Sequence, residues 1–162
     1  MKRFLCLLLC LCLVLPGCSS ELMKEPVTFY YPRREYRYGT EDGVISSEQR
    51  EASGHADDLR YLLSLYLIGP SSEELVSPLP RGTRLLRVSR EDGTIILELT
   101  DTSLTATDTE FTLACACLTM TALSVTGGDE VTITSGGRSV TMSRGSLTLV
   151  DDSAASTTEE TK

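Results

Sequence analysis

The spacing of apolar positions predicts two helices. Leu59, Leu62, Leu63, Tyr66 and Leu67 recur at i, i+3, i+4, i+7 and i+8, which places them on one helical face. Gly69 and Pro70 follow and are typical of a helix end. The apolar stretch 111–123 comes after a T-x-x-E capping box at Thr107 and Glu110, which predicts a second, largely buried helix.

Alternating apolar and polar positions predict strands around these helices. The first strand is VTFYY (27–31), and a hairpin follows at RLLRVSR and TIILELT, which flank Glu91-Asp92-Gly93. Near the C-terminus VTITS, RSVTM and SLTLV (146–150) alternate. The stretch 33–54 has no clear period and reads as a long loop or irregular hairpin. The order predicts an α+β fold of mainly antiparallel sheet with two helices packed on one face.

The N-terminus has the pattern of an export signal. Lys2 and Arg3 precede an apolar run from Phe4 to Val14, shorter than the roughly 20 residues that span a bilayer. The run ends in LPGCSS, which resembles the bacterial lipobox and predicts Cys18 as the lipid-attachment residue. We therefore expect a signal peptide at 1–17, an anchor and short linker at 18–26, a folded domain at 27–150 and a disordered acidic tail at 151–162. The expected location is the extracytoplasmic face of the cell membrane.

The net charge and the cysteine positions argue against two classes of protein, nucleic-acid-binding proteins and disulfide-stabilised domains. The chain has 15 Lys and Arg against 23 Asp and Glu, a formal net charge of −8. Nucleic-acid binding is disfavoured, because phosphate contacts need a basic surface. Cys6, Cys10 and Cys12 would leave with the signal peptide, so no disulfide framework follows. Cys115 and Cys117 are expected to be small buried hydrophobic residues.

Candidate catalytic groups are sparse. Gly127 to Glu130 resemble the signature turn of diguanylate cyclases, but an exported chain lacks cytoplasmic GTP, so a helix-to-strand turn is expected there. His55 is the single histidine, and no G-x-S-x-G motif accompanies it. Neighbouring acids such as Asp57-Asp58 and Glu73-Glu74 are predicted to lie on the solvated surface. We predict no catalytic residue, no cofactor and no metal site.

One segment has the composition of an interaction surface. Residues 29–39 hold four of the six tyrosines and three arginines against one acid. Tyrosine favours interfaces and arginine pairs with phosphates, so contact with lipid headgroups or a protein partner is expected. The alternative is a first strand followed by a solvated loop. The candidate residues of this Tyr-Arg patch are Tyr30, Tyr31, Arg33, Arg34, Tyr36, Arg37 and Tyr38.

A proline-rich connection carries a family resemblance. The helix end YLIGP, the connection SPLPRGTRLLRV (77–88), the hairpin, the second helix and VTITSGG together resemble the GerMN domain of sporulation and spore-germination proteins and other bacterial envelope lipoproteins. The most specific piece is the spacing of Gly69-Pro70, Pro78, Pro80, Gly82-Thr83 and Leu85-Leu86. The resemblance implies a compact module related to the ring-building motif of secretion and sporulation channels, without a catalytic centre.

These observations lead to one main functional hypothesis and two alternatives. We expect a membrane-anchored, non-enzymatic lipoprotein that acts as a protein–protein assembly module in the bacterial cell envelope, in sporulation or spore germination. Its partners would be the membrane, through the lipid, and an envelope protein. The alternatives are an envelope hydrolase with a scattered active site and a small-ligand-binding lipoprotein, which would show a concave apolar pocket.

Overall fold

The computed structural model describes residues 26–36, 43–52 and 54–147. Their elements are strands β1 (Pro26–Pro32) and β2 (Ile45–Glu51), helix α1 (Leu59–Ile68), strands β3 (Leu85–Glu91) and β4 (Thr94–Leu99), helix α2 (Asp108–Thr126), strands β5 (Glu130–Ser135) and β6 (Arg138–Ser143), and a 3-10 turn at Arg144–Ser146. The expected signal peptide, Cys18, nearly all of the linker and the acidic tail lie outside the described residues.

The main sheet has four strands in the order β3-β4-β5-β6. Its β3–β4 and β5–β6 pairs are antiparallel, and its β4–β5 pair is parallel. A parallel pair needs a crossover connection, and α2 supplies it. The predicted α+β class, with mainly antiparallel sheet and two helices on one face, is confirmed.

The core forms between this sheet and the helices. Alternation along β4 and β5 turns Ile95, Leu97, Leu99, Val131 and Ile133 inward, and each is at most 2% exposed. Helix α2 packs on these side chains and is buried on most of its circumference. Its length and composition would suffice to cross a membrane, but its burial identifies it as the core helix of the described domain. The predicted capping box is present, because Glu110 N–H donates to Thr107 Oγ1 and Thr107 N–H donates to Glu110 Oε2.

A second, two-stranded sheet covers the other side of α2. Strand β2 pairs antiparallel with β1 from Pro26↔Glu51 to Pro32↔Ile45. The free edge of β1 lies against the helix, where Tyr30 N–H donates to Thr121 Oγ1 (3.0 Å) and Ser124 Oγ donates to the Thr28 carbonyl (3.1 Å). Helix side chains therefore satisfy an edge that would otherwise stay open.

Two details of the sequence-based prediction are wrong. The stretch 33–54 contains β2, a regular strand that its polar sequence ISSEQRE does not reveal. The strand expected at 146–150 does not begin where predicted, because Ser146 closes the 3-10 turn and Leu147 has extended backbone without a strand partner among the described residues. Residues 148–150 lie outside the described part of the chain.

Candidate functional site

The proline-rich connection is bound along the end of β1. We call residues 69–82 the proline loop. Arg34 N–H donates to the Glu74 carbonyl (2.7 Å) and Val76 N–H donates to the Pro32 carbonyl (3.0 Å), so a short antiparallel ladder joins the loop to the segment that follows β1. Arg34 Nε also donates to the Glu73 carbonyl (2.7 Å). The proline loop and the Tyr-Arg patch, two separate features of the sequence, form one surface.

A nearly buried ion pair on β2 holds the start of this loop. Arg50 Nε donates to Glu48 Oε1 (2.7 Å), and the two side chains are only 16% and 11% exposed, respectively. The Arg50 guanidinium also donates to the carbonyls of Leu65 and Gly69 at the end of α1. The Glu48 carboxylate accepts from the backbone N–H groups of Ser71 and Ser72 (3.0 Å each). Arg50 and Glu48 therefore bond both to the helix end and to the loop that leaves it.

The environment of Glu48 changes its titration. Burial opposes ionisation of the carboxyl, but the N–H groups of Ser71 and Ser72, together with Arg50, outweigh that effect and lower its pKa. A lowered folded-state pKa contributes stability above the unfolded-state pKa, and this contribution is lost as pH falls through the folded-state pKa. Acid should therefore weaken the attachment of the proline loop.

Glu48→Gln is expected to lower the free energy of unfolding at neutral pH by about 2 kcal/mol, because an amide replaces a carboxylate that accepts charge-assisted hydrogen bonds. The loss relative to wild type should shrink below pH 4.5, the ordinary pKa of the group. Urea unfolding across pH measures both effects. Glu98→Gln is the control, since Glu98 is 46% exposed and lies 3.7 Å from Arg87. A pH-independent loss for Glu48→Gln would contradict the assigned role.

The described residues of the predicted Tyr-Arg patch differ in their burial. Tyr31 is fully buried, its hydroxyl donates to the Tyr66 carbonyl (3.0 Å), and its ring stacks on Tyr66 with centroids 4.4 Å apart. Its assignment to an exposed patch is wrong, because the strand period turns it inward with Phe29. Tyr30 and Arg33 are half-buried, Arg34 is exposed, and Tyr36 is 37% exposed. Arg37 and Tyr38 lie outside the described residues.

An open groove with mixed apolar and polar walls borders the remaining part of the patch. We call it the proline groove, and its volume is about 310 Å³. Its apolar lining residues include Pro32, Tyr36, Pro78, Leu79, Pro80 and Leu113. One wall is formed by Glu110 and Leu113 in the first turns of α2 and by Thr105 and Ala106, which precede the helix. A second groove of about 490 Å³ shares Val76, Ser77, Leu79 and Pro80 and extends to Ile68 and Arg81.

Exposed apolar side chains flank these grooves. Leu104 is 97% exposed, next to Thr105 of the proline groove, and Ile68 is 80% exposed at the second groove. The loop that carries Leu104 is firmly held, because Arg138 donates to the Ala106 carbonyl (3.0 Å) and to Thr102 Oγ1 (2.7 Å). The Arg138 guanidinium lies 4.2 Å from the centre of the Phe111 ring. Leu104 is therefore presented to solvent by a rigid support, and sequence analysis missed it.

The other candidate groups occupy structural positions. Gly127 ends α2 in the left-handed conformation (φ 64°), and Glu130 accepts a hydrogen bond from Thr94 Oγ1 (3.0 Å), so the segment 127–130 is a helix-to-strand turn. The His55 ring lies against the Tyr61 ring, with centroids 4.4 Å apart and the planes tilted by 33°. Cys115 and Cys117 are free, buried thiols, and burial raises the pKa of Cys115 to about 12. Within the described ranges, no group of three or more His, Cys, Asp or Glu could hold a metal ion.

Comparison with known proteins gives a consistent family and fold. The family model described as "Germane: Sporulation and spore germination" matches residues 28–141. The first GerMN domain of the sporulation protein GerM from Bacillus subtilis is similar in structure, with 16% identity over 72% of this chain and 86% of that chain and a TM-score of 0.53. The tandem GerMN domains of the same protein give 17% identity, 76% of this chain, 43% of that chain and a TM-score of 0.50.

A candidate lipoprotein from Clostridium perfringens is a more distant structural neighbour. It shows 16% identity, with 75% of this chain and 89% of that chain covered and a TM-score of 0.46. No curated protein matches the chain. At these identities the two GerMN structures show the shared fold, and the family model shows the sequence relationship.

Proposed function

The chain belongs to the Germane family, sporulation and spore germination, and we propose that it is a lipid-anchored, non-enzymatic module that docks a protein partner in the cell envelope. The predicted resemblance to the GerMN domain is confirmed. The lipid anchor at Cys18, the extracytoplasmic location and the assembly role are proposals for this chain. They rest on the lipobox-like LPGCSS and on the surface described above.

The observation that carries the docking proposal is the combination of an open groove, lined in part by three prolines and two leucines, with a rigidly presented, exposed leucine beside it. A leucine that is 97% exposed gains nothing from the fold, whereas burial in an interface would stabilise a complex by about 1.5–3 kcal/mol. Tyr36 and the three prolines that line the adjacent groove have little conformational freedom to lose on binding. These properties favour a protein contact.

The same surface argues against the two alternatives. The groove that contains Glu110 contains no second carboxylate, histidine or cysteine among its lining residues, so it lacks a general acid–base pair. The Glu110 carboxylate is already engaged in the capping box. The groove is open, and five of its eleven lining residues are proline or leucine, so it suits a polypeptide surface better than an enclosed small molecule.

A tether would strengthen a weak contact. Seven residues, 19–25, separate Cys18 from β1, and at roughly 3.3–3.6 Å each they keep the start of the domain within about 30 Å of the lipid. Confinement to this layer raises the effective concentration towards other tethered or membrane-bound proteins. The proposed module is therefore expected to act only when it is anchored.

Cys18→Ala tests the anchor. The wild-type chain should incorporate labelled fatty acid, fractionate with membranes and recover a partner after cross-linking in cells. The variant should incorporate no label and recover little partner, because each buried acyl methylene contributes about 0.8 kcal/mol to membrane attachment. Cys12→Ala is the matched control and should behave as wild type. A wild-type chain that incorporates no fatty acid would refute the anchor.

A further inference from the structure

The described domain has two chemically different ends. One end collects the start of β1, the C-terminus of α2, the β3–β4 turn and the N-terminus of α1. Ser124 Oγ bonds to the Thr28 carbonyl there, and Thr94 Oγ1 at the start of β4 bonds to Glu130. A groove of about 460 Å³ joins Asp57 and Leu59 to Val125 and Thr126 at the same end. We call this the linker end, because the predicted linker enters β1 here.

The opposite end holds the proline groove. Strand β1 runs antiparallel to α2, so Pro32 lies beside Glu110 and Leu113 in the first turns of the helix. Helix α2 has 19 residues, and at 1.5 Å per residue it spans about 28 Å between the two ends. The proline groove and Leu104 are therefore about one domain length from the point where the linker joins.

The linker end is acidic. Its exposed or half-buried carboxylates are Asp57, Asp58, Glu91, Asp92, Asp129 and Glu130. Among the described residues, three arginines accompany them at or beside this end. Arg60, in the first turn of α1, donates to the Leu86 carbonyl, Arg144 donates to the carbonyls of Leu123 and Gly128 at the end of α2, and Arg90 lines the groove. The excess of negative charge disfavours contact with anionic headgroups within a Debye length of about 8 Å.

We infer that the anchored domain is tethered through its acidic end, without resting on the bilayer, and presents the proline groove away from it. This inference rests on the proposed anchor at Cys18. The linker fixes which end is near the lipid, and charge repulsion keeps that end from adhering to it. The partner that fits is an extracytoplasmic protein domain whose contact region lies about 30 Å beyond the linker junction, rather than a surface embedded in the bilayer.

Energy transfer from single tryptophans to the membrane tests this orientation. The chain contains no tryptophan, so His55→Trp at the linker end and Leu104→Trp at the groove end each introduce one donor. The mature chain from Cys18 is coupled through that thiol to a maleimide lipid in vesicles with dansyl-labelled headgroups. Cys115 and Cys117 are fully buried, which directs coupling to Cys18. Transfer from position 55 should exceed transfer from position 104 severalfold.

Equal transfer from both positions, or stronger transfer from position 104, would overturn the orientation. Replacing zwitterionic lipid by anionic lipid should lower transfer from position 55, and a variant with Asp57→Asn, Glu91→Gln, Asp92→Asn and Asp129→Asn should lose that dependence. A rise in transfer on anionic lipid would overturn the repulsion. The lipid is attached chemically, so the result does not depend on acylation in the cell, and failure of the proposed anchor is distinguished from failure of this inference.

Discussion

Arg50→Ala is expected to lower the free energy of unfolding by about 3 kcal/mol, the low end of the range for removing one partner of a buried ion pair, because the Arg50–Glu48 pair is partly exposed. The substitution removes the donors to the Leu65 and Gly69 carbonyls and leaves the Glu48 carboxylate without its counter-charge. It also removes a cation that lies 5.3 Å from the centre of the Phe29 ring. One substitution therefore removes three stabilising contributions: the hydrogen bonds to the end of α1, the ion pair with Glu48 and the cation–π contact with Phe29.

Two matched variants separate this role from a general effect of arginine. Arg50→Lys keeps the charge but lacks the planar fork that reaches two carbonyls and a carboxylate, so an intermediate loss is expected. Arg87→Ala removes an arginine whose side chain is 61% exposed and whose partner Glu98 lies 3.7 Å away, so the loss should stay below about 1 kcal/mol. Urea unfolding of the four proteins measures the differences. Similar losses for Arg50→Ala and Arg87→Ala would contradict the central position of Arg50.

The Arg50→Ala substitution should also disturb the proline groove. Arg50 and Glu48 hold residues 65–72, and the ladder between Arg34 and Val76 continues from that point to the groove wall. A loosened loop start would allow Pro78 and Pro80 to shift relative to α2. Partner binding is therefore expected to weaken in Arg50→Ala even under conditions in which the variant remains folded.

The elements with strong local signals were predictable from sequence. Helix α1 follows an uninterrupted 3.6-residue period, and α2 begins at a capping box. The β3–β4 hairpin follows from its Glu-Asp-Gly turn, where Asp92 and Gly93 adopt the positive φ that such a turn needs. In each case the information lies within a few residues of the element it specifies.

Strand β2 and the Tyr-Arg patch show why the rest was not predictable. The strand ISSEQRE has almost no apolar alternation, because Glu48 and Arg50 bind backbone groups that lie 15 to 24 residues further along the chain. Composition made residues 29–38 look like one exposed patch, although the strand period already placed Tyr31 inward with Val27 and Phe29. The alternation along the strand therefore predicted the burial of Tyr31 better than the composition of the segment did.

Leu104 was missed for a different reason. It is the single large apolar residue in the polar stretch 100–110, without periodicity, and a solitary leucine carries no sequence signal of its own. Its importance depends on its 97% exposure and on the support that Arg138 gives to the surrounding loop. Both properties arise from contacts between distant segments, so only the folded chain reveals them.

Leu104→Asp is expected to abolish most partner recovery without loss of stability. The side chain is almost fully exposed, so an acid there should leave the free energy of unfolding within about 0.5 kcal/mol of wild type. In a complex the same acid would be buried without a counter-charge, which is strongly unfavourable. Leu86→Asp is the matched control, because Leu86 is 50% exposed on β3, an edge strand of the main sheet.

The control also separates two ways of binding. An edge strand can accept a strand from another chain, and Leu86 lies on the edge strand β3, where its own carbonyl accepts from Arg60 (3.1 Å). A partner that pairs with β3 would be lost in Leu86→Asp and retained in Leu104→Asp. A partner that docks at the proline groove would show the reverse.

The most direct test of the docking surface is a photo-cross-linking side chain placed at position 104 or, separately, at position 86 of the anchored protein in intact cells. We predict a discrete adduct with an envelope protein from position 104, which disappears in a second-site Cys18→Ala background and is absent from position 86. An adduct from position 86 alone, or none from position 104 in anchored, folded protein, would contradict the account.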